Sequence, residues 1–388
     1  MAARPAEGAG QRAAPTPASA LILSGSLGKG HDVVAEACAA ALTGRGAATR
    51  IVDSMALLGG PAGAVGEAVF RRLLSVPAVY DGFHFSQLRT GGRAARFADG
   101  AALRTMYPRF LAQVAETRPG LILSVFATGA AAGARYKAEW PAVTTAVFMT
   151  DSFAHRMWVH EGTDLFLVTS ELAASSVRLH RPRAKVAVVD APVRPAFYDA
   201  PDRAAARRAL GVPGDARCVL VMSGAWGIGP LDRAAEELAA RGLWVLAVAG
   251  SNAALAARLD RVAARRPQVR AFGFTDRVPE LMAAADVVVT SSGDTCREAR
   301  VVGRGIVLLD VVPGHGRENL MHELELGGAA ATASDPATLA EAVEVFLERP
   351  EGGRHGPAID PRRWEGQFLA ALADVGFDPR PGIGPPAG

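Results

Sequence analysis

The chain predicts two Rossmann-like α/β domains, each on a parallel sheet, facing one another across a cleft, and three observations predict this. Short runs rich in Val, Ile and Leu alternate with Ala-rich stretches of helical period, the pattern of strands buried on both faces between crossover helices. The alternation is played through twice. The length of 388 residues also exceeds what one hydrophobic core usually serves.

In the first half, strands are expected at 21–24, 50–52, 121–125, 143–149, 165–169 and 185–189, and in the second half at 219–222, 243–249, 269–272, 287–290, 306–309 and 329–331. The segment Ala191-Pro192-Val193-Arg194-Pro195-Ala196-Phe197 carries two prolines that oppose helix, so the chain should cross between domains there. The expected division is a first domain over 20–193, a linker over 194–213, a second domain over 214–350 and a helical segment over 351–377. Residues 1–19 are an Ala/Pro/Gly/Arg tract and 378–388 are Pro/Gly-rich; both lack periodic apolar residues and read as disordered tails.

The first apolar run, at 21–23, is too short for the core of a signal peptide, and Gly25 and Gly28 break it at once. No run approaches the roughly 20 apolar residues that span a bilayer. Cys38, Cys218 and Cys296 are far apart and lack metal-site spacing. The expected setting is therefore the cytoplasm, with peripheral contact to the inner face of the cell membrane as the one membrane association considered. The net charge is +3, but residues 1–200 hold 21 Lys and Arg against 15 Asp and Glu, and the remainder 21 against 24. The excess concentrates in Arg89, Arg93, Arg96, Arg104 and Arg109, opposed within that stretch only by Asp99 and interleaved with Phe83, Phe85, Phe97 and Tyr107. Such a stretch suits an anionic surface, or it is a solvated helix face in a chain whose only lysines are Lys29, Lys137 and Lys185. No nucleic-acid-binding motif accompanies it.

Ligands of open parallel sheets bind beyond the carboxyl ends of the strands, so chemistry is sought in the loops that follow them. After the first strand comes Gly25-Ser26-Leu27-Gly28-Lys29-Gly30-His31, leading into a helix. Its glycines admit close approach of a ligand and the helix N-terminus attracts negative charge. His31 is the candidate general base, its imidazole accepting a proton from an acceptor hydroxyl, or it is an ordinary first-turn residue. After the strand at 143–149 comes a group of ionisable and aromatic residues from Thr150 to Trp158. Asp151 is read as orienting a histidine, as the rival base, or as a helix cap; Trp158 and Phe153 are read as a wall of the acceptor cleft or as core.

In the second half, Gly224, Gly227 and Gly229 follow the first strand and Asn252 follows the second, in loops able to turn backbone N–H groups toward a phosphate. Ser292, Gly293, Asp294 and Thr295 lead into a helix that bears Glu298. Gly293 and that helix N-terminus suit a diphosphate, and Glu298 can accept hydrogen bonds from two ribose hydroxyls. A neighbouring loop, with Gly314, His315 and Asn319, is expected to face the sugar.

In order, these segments resemble a known family over about residues 20–350: the GT-B glycosyltransferases that include monogalactosyldiacylglycerol synthase, the processive diacylglycerol glucosyltransferases and the N-acetylglucosaminyltransferase of peptidoglycan precursor synthesis. The resemblance is carried by Gly28-Lys29-Gly30-His31, the segment from Thr150 to Trp158, Val168-Thr169-Ser170-Glu171, Pro192 to Phe197, Gly224 to Gly229, Gly273-Phe274, and Ser292 to Thr295 followed by Glu298-Ala299. It implies a UDP-sugar site in the second domain that includes Gly273 and Phe274, with Glu298 on the ribose and Ser292 to Thr295 on the diphosphate. It also implies an acceptor site in the first domain that draws on Gly28, Gly30, His155 and Trp158. The family usually has Gln, often followed by an acidic residue, after the Pro-Gly of the sugar-facing loop; here Pro313-Gly314 is followed by His315-Gly316.

The reaction expected is direct displacement with inversion at the anomeric carbon, taking a hexose from a UDP-sugar to a lipid acceptor such as diacylglycerol. No cofactor and no metal is expected, since helix N-termini and backbone N–H groups would stabilise the leaving diphosphate. A same-fold transferase for a lipid-linked precursor or secondary metabolite, a nucleotide-sugar epimerase, or a non-catalytic nucleotide-sugar binder are the alternative readings.

Overall fold

The computed structural model describes residues 16–25, 30–59, 89, 91–348 and 361–380. The first domain runs β1 (Thr16–Ser24), α1 (Gly30–Thr43), β2 (Ala48–Asp53), α2 (Arg93–Thr117), β3 (Pro119–Ser124), α3 (Ala127–Glu139), β4 (Thr144–Phe148), β5 (Leu165–Val168), α4 (Glu171–His180) and β6 (Val186–Val188). Two helices, α5 (Pro195–Tyr198) and α6 (Arg203–Leu210), lead to the second domain. That domain runs β7 (Cys218–Val221), α7 (Leu231–Ala240), β8 (Trp244–Val248), α8 (Ala253–Arg265), β9 (Val269–Phe272), α9 (Val278–Ala284), β10 (Val287–Thr290), α10 (Asp294–Val301), β11 (Gly305–Leu309), α11 (His315–Glu325), β12 (Ala329–Thr332) and α12 (Pro336–Leu347). A last helix, α13, spans Pro361–Ala373.

Both sheets are parallel, in the orders β2-β1-β3-β4-β5-β6 and β12-β11-β10-β7-β8-β9. Their central strands are buried along their whole length, as Leu121, Ile122 and Leu123 in β3 and Val219, Leu220 and Val221 in β7 illustrate, which is why they read as unbroken apolar runs. All twelve expected strands are present, with ends that differ by a residue or two except at β1. That strand begins at Thr16, inside the stretch read as a tail, because backbone pairing sets its extent: Thr16 registers with Pro119, and the buried Ser19 donates its hydroxyl to the Arg118 carbonyl at 3.0 Å. Residues 1–15, 349–360 and 381–388, which hold most of both expected tails and part of the helical segment, lie outside the described residues.

The stretch read as a linker is packed. Phe197, Ala206, Leu210 and Val212 join the core around Cys218 and Leu220 of the second domain. Arg207 is 1% exposed and donates to Asp286 at 2.9 Å and to the carbonyls of Ala284, Gly214 and Ala216. Asp286 also accepts from the Cys218 N–H at 2.8 Å, so this ion pair pins the start of β7 to the segment before β10, at the end of the sheet away from the loops of interest. In the other direction, α13 returns to the first domain, where Trp364, Phe368, Leu372 and Phe377 complete the core with Val34, Cys38 and Leu42 of α1.

The strand orders matter for function because each sheet reverses its winding once, between β1 and β3 in one domain and between β7 and β10 in the other. Crevices open beyond the carboxyl ends of strands at such points.

Candidate active site

His31 stands in the first turn of α1, beyond β1 and beside the end of β3. Its Nδ1 lies 2.9 Å from the Val125 carbonyl oxygen and 3.2 Å from the Thr150 hydroxyl, and its ring meets Phe126 edge-on at 4.9 Å. A carbonyl oxygen only accepts, so Nδ1 carries the proton and donates, which makes Nε2 the basic nitrogen of the neutral ring. Strand β3 thus supplies the group that sets the tautomer, and β4 supplies, through Thr150, the hydroxyl beside it. Gly28, with the rest of 26–29, lies outside the described residues; Gly30 is the first residue of α1.

The loop after β4 holds Asp151 between two aromatic supports. Its Oδ2 accepts from the indole N–H of Trp158 at 2.8 Å and stands 3.6 Å from Nε2 of His155. Burial acts to raise the Asp151 carboxyl, but the combined pull of His315, His155, the Trp158 N–H and His31 outweighs it and holds the group below the usual carboxylate value. Asp151 is therefore an anion placed among imidazoles of both domains. Trp158 is 1% exposed and packs with Val147, Phe166 and Val168, so it is core that orients Asp151 rather than an open wall of a cleft. Phe153 instead carries the Arg89 guanidinium 4.3 Å above its ring.

On the opposite side, the loops after β7, β8, β10 and β11 converge. Ser223 donates to Ser291 at 3.0 Å across the winding reversal, and Ser292 donates to the Gly316 carbonyl at 2.7 Å, joining the starts of α10 and α11. Both helices are preceded by glycines at positive φ, Gly293 at 152° and Gly314 at 61°. A glycine N-cap contributes no side-chain oxygen to its own helix and lets a phosphate approach the first-turn backbone. Asp294 and Thr295 lie in that first turn. The loops bearing Gly227 and Gly250 interlock, since a Cβ on Gly227 would sit 2.3 Å from the Ala249 carbonyl. Gly224 and Gly229 also have positive φ.

Three expected donor contacts have other partners. Asn252 caps α8, accepting from the Leu255 N–H at 3.0 Å, and its amide nitrogen donates to the Gly227 carbonyl at 3.3 Å. Asn319 accepts from the Ser152 N–H at 2.9 Å, across the cleft. Glu298 is 7% exposed and its Oε1 receives both Nε and Nη2 of Arg194, at 3.2 and 2.9 Å. Burial raises its carboxyl to about 7; the Arg194 charge opposes the shift and Asp294 adds to it. Gly273 and Phe274 follow β9, and Phe274 is 71% exposed.

The two halves touch at named atoms. Arg297 donates to Asp294 at 3.0 Å and to the Thr150 carbonyl at 3.3 Å, Arg89 pairs with Glu318 at 3.1 Å, and Asp294 lies so close to Gly30 that a Cβ there would be 2.0 Å from its Oδ2. His315 lies one helical turn before Asn319 on α11, on the side facing Ser152 and Asp151. Arg194, Arg297 and Thr150 had no assigned role in the sequence; the only signal for Arg297 was its position three residues after Asp294 and one before Glu298.

Known proteins resemble this chain in sequence over part of its length and in fold over most of it. Residues 31–187 match the family model described as monogalactosyldiacylglycerol (MGDG) synthase. A processive diacylglycerol beta-glucosyltransferase of Bacillus pumilus (strain SAFR-032) is 30% identical over 210 residues, covering 52% of this chain and 54% of that one. A probable chloroplastic monogalactosyldiacylglycerol synthase of Glycine max is 28% identical over 217 residues, covering 53% and 41%. The chain thus spans about half the length of the curated relatives it matches. Among solved structures, MurG of Acinetobacter baumannii aligns with a TM-score of 0.54 at 14% identity over 92% of this chain and 94% of that one. The UDP-GlcNAc 2-epimerase of Neisseria meningitidis aligns at 0.59 and 11% identity, over 92% and 100%. The chain therefore has the GT-B fold, and its residues 31–187 are similar in sequence to the monogalactosyldiacylglycerol synthase family.

Proposed function

We propose that the chain is an inverting glycosyltransferase that moves a hexose from a UDP-sugar to a lipid acceptor such as diacylglycerol. The acceptor hydroxyl oxygen attacks the anomeric carbon as its proton passes to Nε2 of His31. The bond from that carbon to the diphosphate oxygen breaks, and its electron pair leaves with UDP. Asp151 stabilises the imidazolium that forms. The glycine-capped starts of α10 and α11 take the charge on the leaving diphosphate, so the step needs no metal ion. Glu298 holds the ribose, and His315 faces the sugar in place of the glutamine usual in the family. Closure of the cleft excludes water.

The observation that carries this reading is His31 with its tautomer set by the Val125 carbonyl, facing the glycine-capped start of α10 across contacts of a few ångströms. Its acceptor component draws on the relatives, whose names specify diacylglycerol. Arg93, Arg96, Phe97 and Arg104 are exposed at helical spacing on α2, with Phe97 77% exposed, which suits an anionic membrane at the cytoplasmic face. Tyr107 is buried beneath Arg135 and takes no part, while Phe83 and Phe85 lie outside the described residues. Among the described residues no helix is long and apolar enough to cross a membrane.

The test is transfer of radiolabelled hexose from UDP-glucose or UDP-galactose to diacylglycerol in phosphatidylglycerol-containing vesicles, with EDTA present and the product anomer read by NMR. Inverted product that His31→Ala reduces by about a hundredfold or more, with UDP binding retained, is the expected result. UDP binding with neither transfer nor donor hydrolysis would leave a nucleotide-sugar binder. Transfer to water or to other alcohols alone would redirect the acceptor.

A further inference from the structure

Arg297 occupies the first turn of α10, where a cation opposes the helix dipole and needs compensation. Two acceptors supply it. Nη1 donates to Asp294 within the same turn, and Nη2 donates across the cleft to the carbonyl of Thr150. The Thr150 hydroxyl oxygen lies 3.2 Å from Nδ1 of His31 as a second acceptor for its proton, while Asp294 rests against Gly30, the residue before His31. The guanidinium therefore reaches the candidate base by two routes, one through the end of β4 and one through the start of α1. Its side chain is 18% exposed, so water competes poorly for these bonds.

We infer that Arg297 is a positioning residue that couples closure of the cleft to the placement of His31; the inference rests on the transferase reading. With the donor-side helix α10 docked, Thr150 and Gly30 are drawn to one geometry and His31 keeps Nδ1–H on the Val125 carbonyl. With α10 withdrawn, the Thr150 backbone loses its tie and its hydroxyl can turn to donate to Nδ1, which moves the ring proton to Nε2, so Nε2 no longer stands ready for an acceptor proton. A base armed only in the closed form limits proton transfer from water while the cleft is open.

The experiment uses the full chain carrying 15N-labelled histidine, with the His31 resonances assigned by their loss in His31→Gln. Wild type should give the Nδ1-protonated tautomer, whereas Arg297→Gln should give a tautomer mixture, with Thr150→Val as a second variant acting on the ring directly. Arg297→Lys, which keeps the charge but has a single nitrogen in place of the two that bond Asp294 and Thr150, should recover part of the wild-type signal. In the transfer assay, Arg297→Gln should lower kcat about tenfold and leave the KM for UDP-glucose within about twofold, since it displaces the base rather than the donor. An unchanged His31 signal in Arg297→Gln overturns the inference whether or not sugar is transferred. A responsive signal in a protein that transfers nothing upholds the coupling and counts against the transferase reading instead.

Discussion

The raised carboxyl of Glu298 gives donor binding a pH dependence that can be worked out in advance. Two ribose hydroxyls can both donate to a carboxylate, but a protonated carboxyl keeps one oxygen as a donor, so the ionised form is the one that binds. With burial holding the group at about 7, the ionised fraction is about 9% at pH 6 and about 91% at pH 8. Affinity for UDP-glucose should therefore rise about tenfold across that range, or about 1.4 kcal/mol. UDP-glucose is the better ligand than UDP, whose terminal phosphate titrates in the same window. Removing the opposing charge with Arg194→Ala should lift the carboxyl further, weaken binding at pH 7 and move the rise to higher pH. Stability runs the other way. A carboxyl raised on folding contributes stability that is fully present below its unfolded value and lost as pH rises through about 7. Calorimetric titration from pH 6 to 8 is the assay. An affinity flat with pH in wild type, or the same slope in Glu298→Gln, would refute the assignment of Glu298 to the ribose.

Arg207→Ala should destabilise the second domain by about 1–3 kcal/mol, read by urea unfolding, because it removes the donor to the carbonyls of Ala284, Gly214 and Ala216, while Asp286 keeps Arg203 and the Cys218 N–H. Gly227→Ala, at φ 55° and with the Ala249 carbonyl 2.3 Å from the added methyl, should weaken both UDP binding and folding, the latter by about 1–3 kcal/mol in thermal denaturation. Trp158→Phe removes the N–H that Asp151 accepts at 2.8 Å, so the carboxyl should titrate higher by carbon NMR and the fold lose about 2 kcal/mol.

The sheets were legible because their strands are buried on both faces, and a buried parallel strand leaves a run of apolar residues that needs no partner to be recognised. The reach of β1 back to Thr16 was not, since pairing with Pro119 leaves no trace in hydrophobicity. The same distinction runs through the site. Glycines and a histidine after a strand announce a loop built for a ligand, and the order of such loops carried the family resemblance. What a side chain does once there depends on what the fold sets opposite it. Asn252 reads from sequence as a loop residue near the donor, and the fold also sets the Leu255 N–H opposite it, which makes it the cap of α8. Glu298 is distinguished by Arg194, 104 residues earlier, and Thr150 by Arg297, 147 residues later. The first pair forms only when the packed linker lies on the second domain and the second only when the two domains meet, so no local spacing records them. The Arg297 contact is also one through which one domain can report its state to the other. The part of the site hardest to read from sequence is therefore the part on which coupling between donor and acceptor sides depends. Variants at Arg194 and Arg297 accordingly probe function more directly than variants at the glycines that made the site visible.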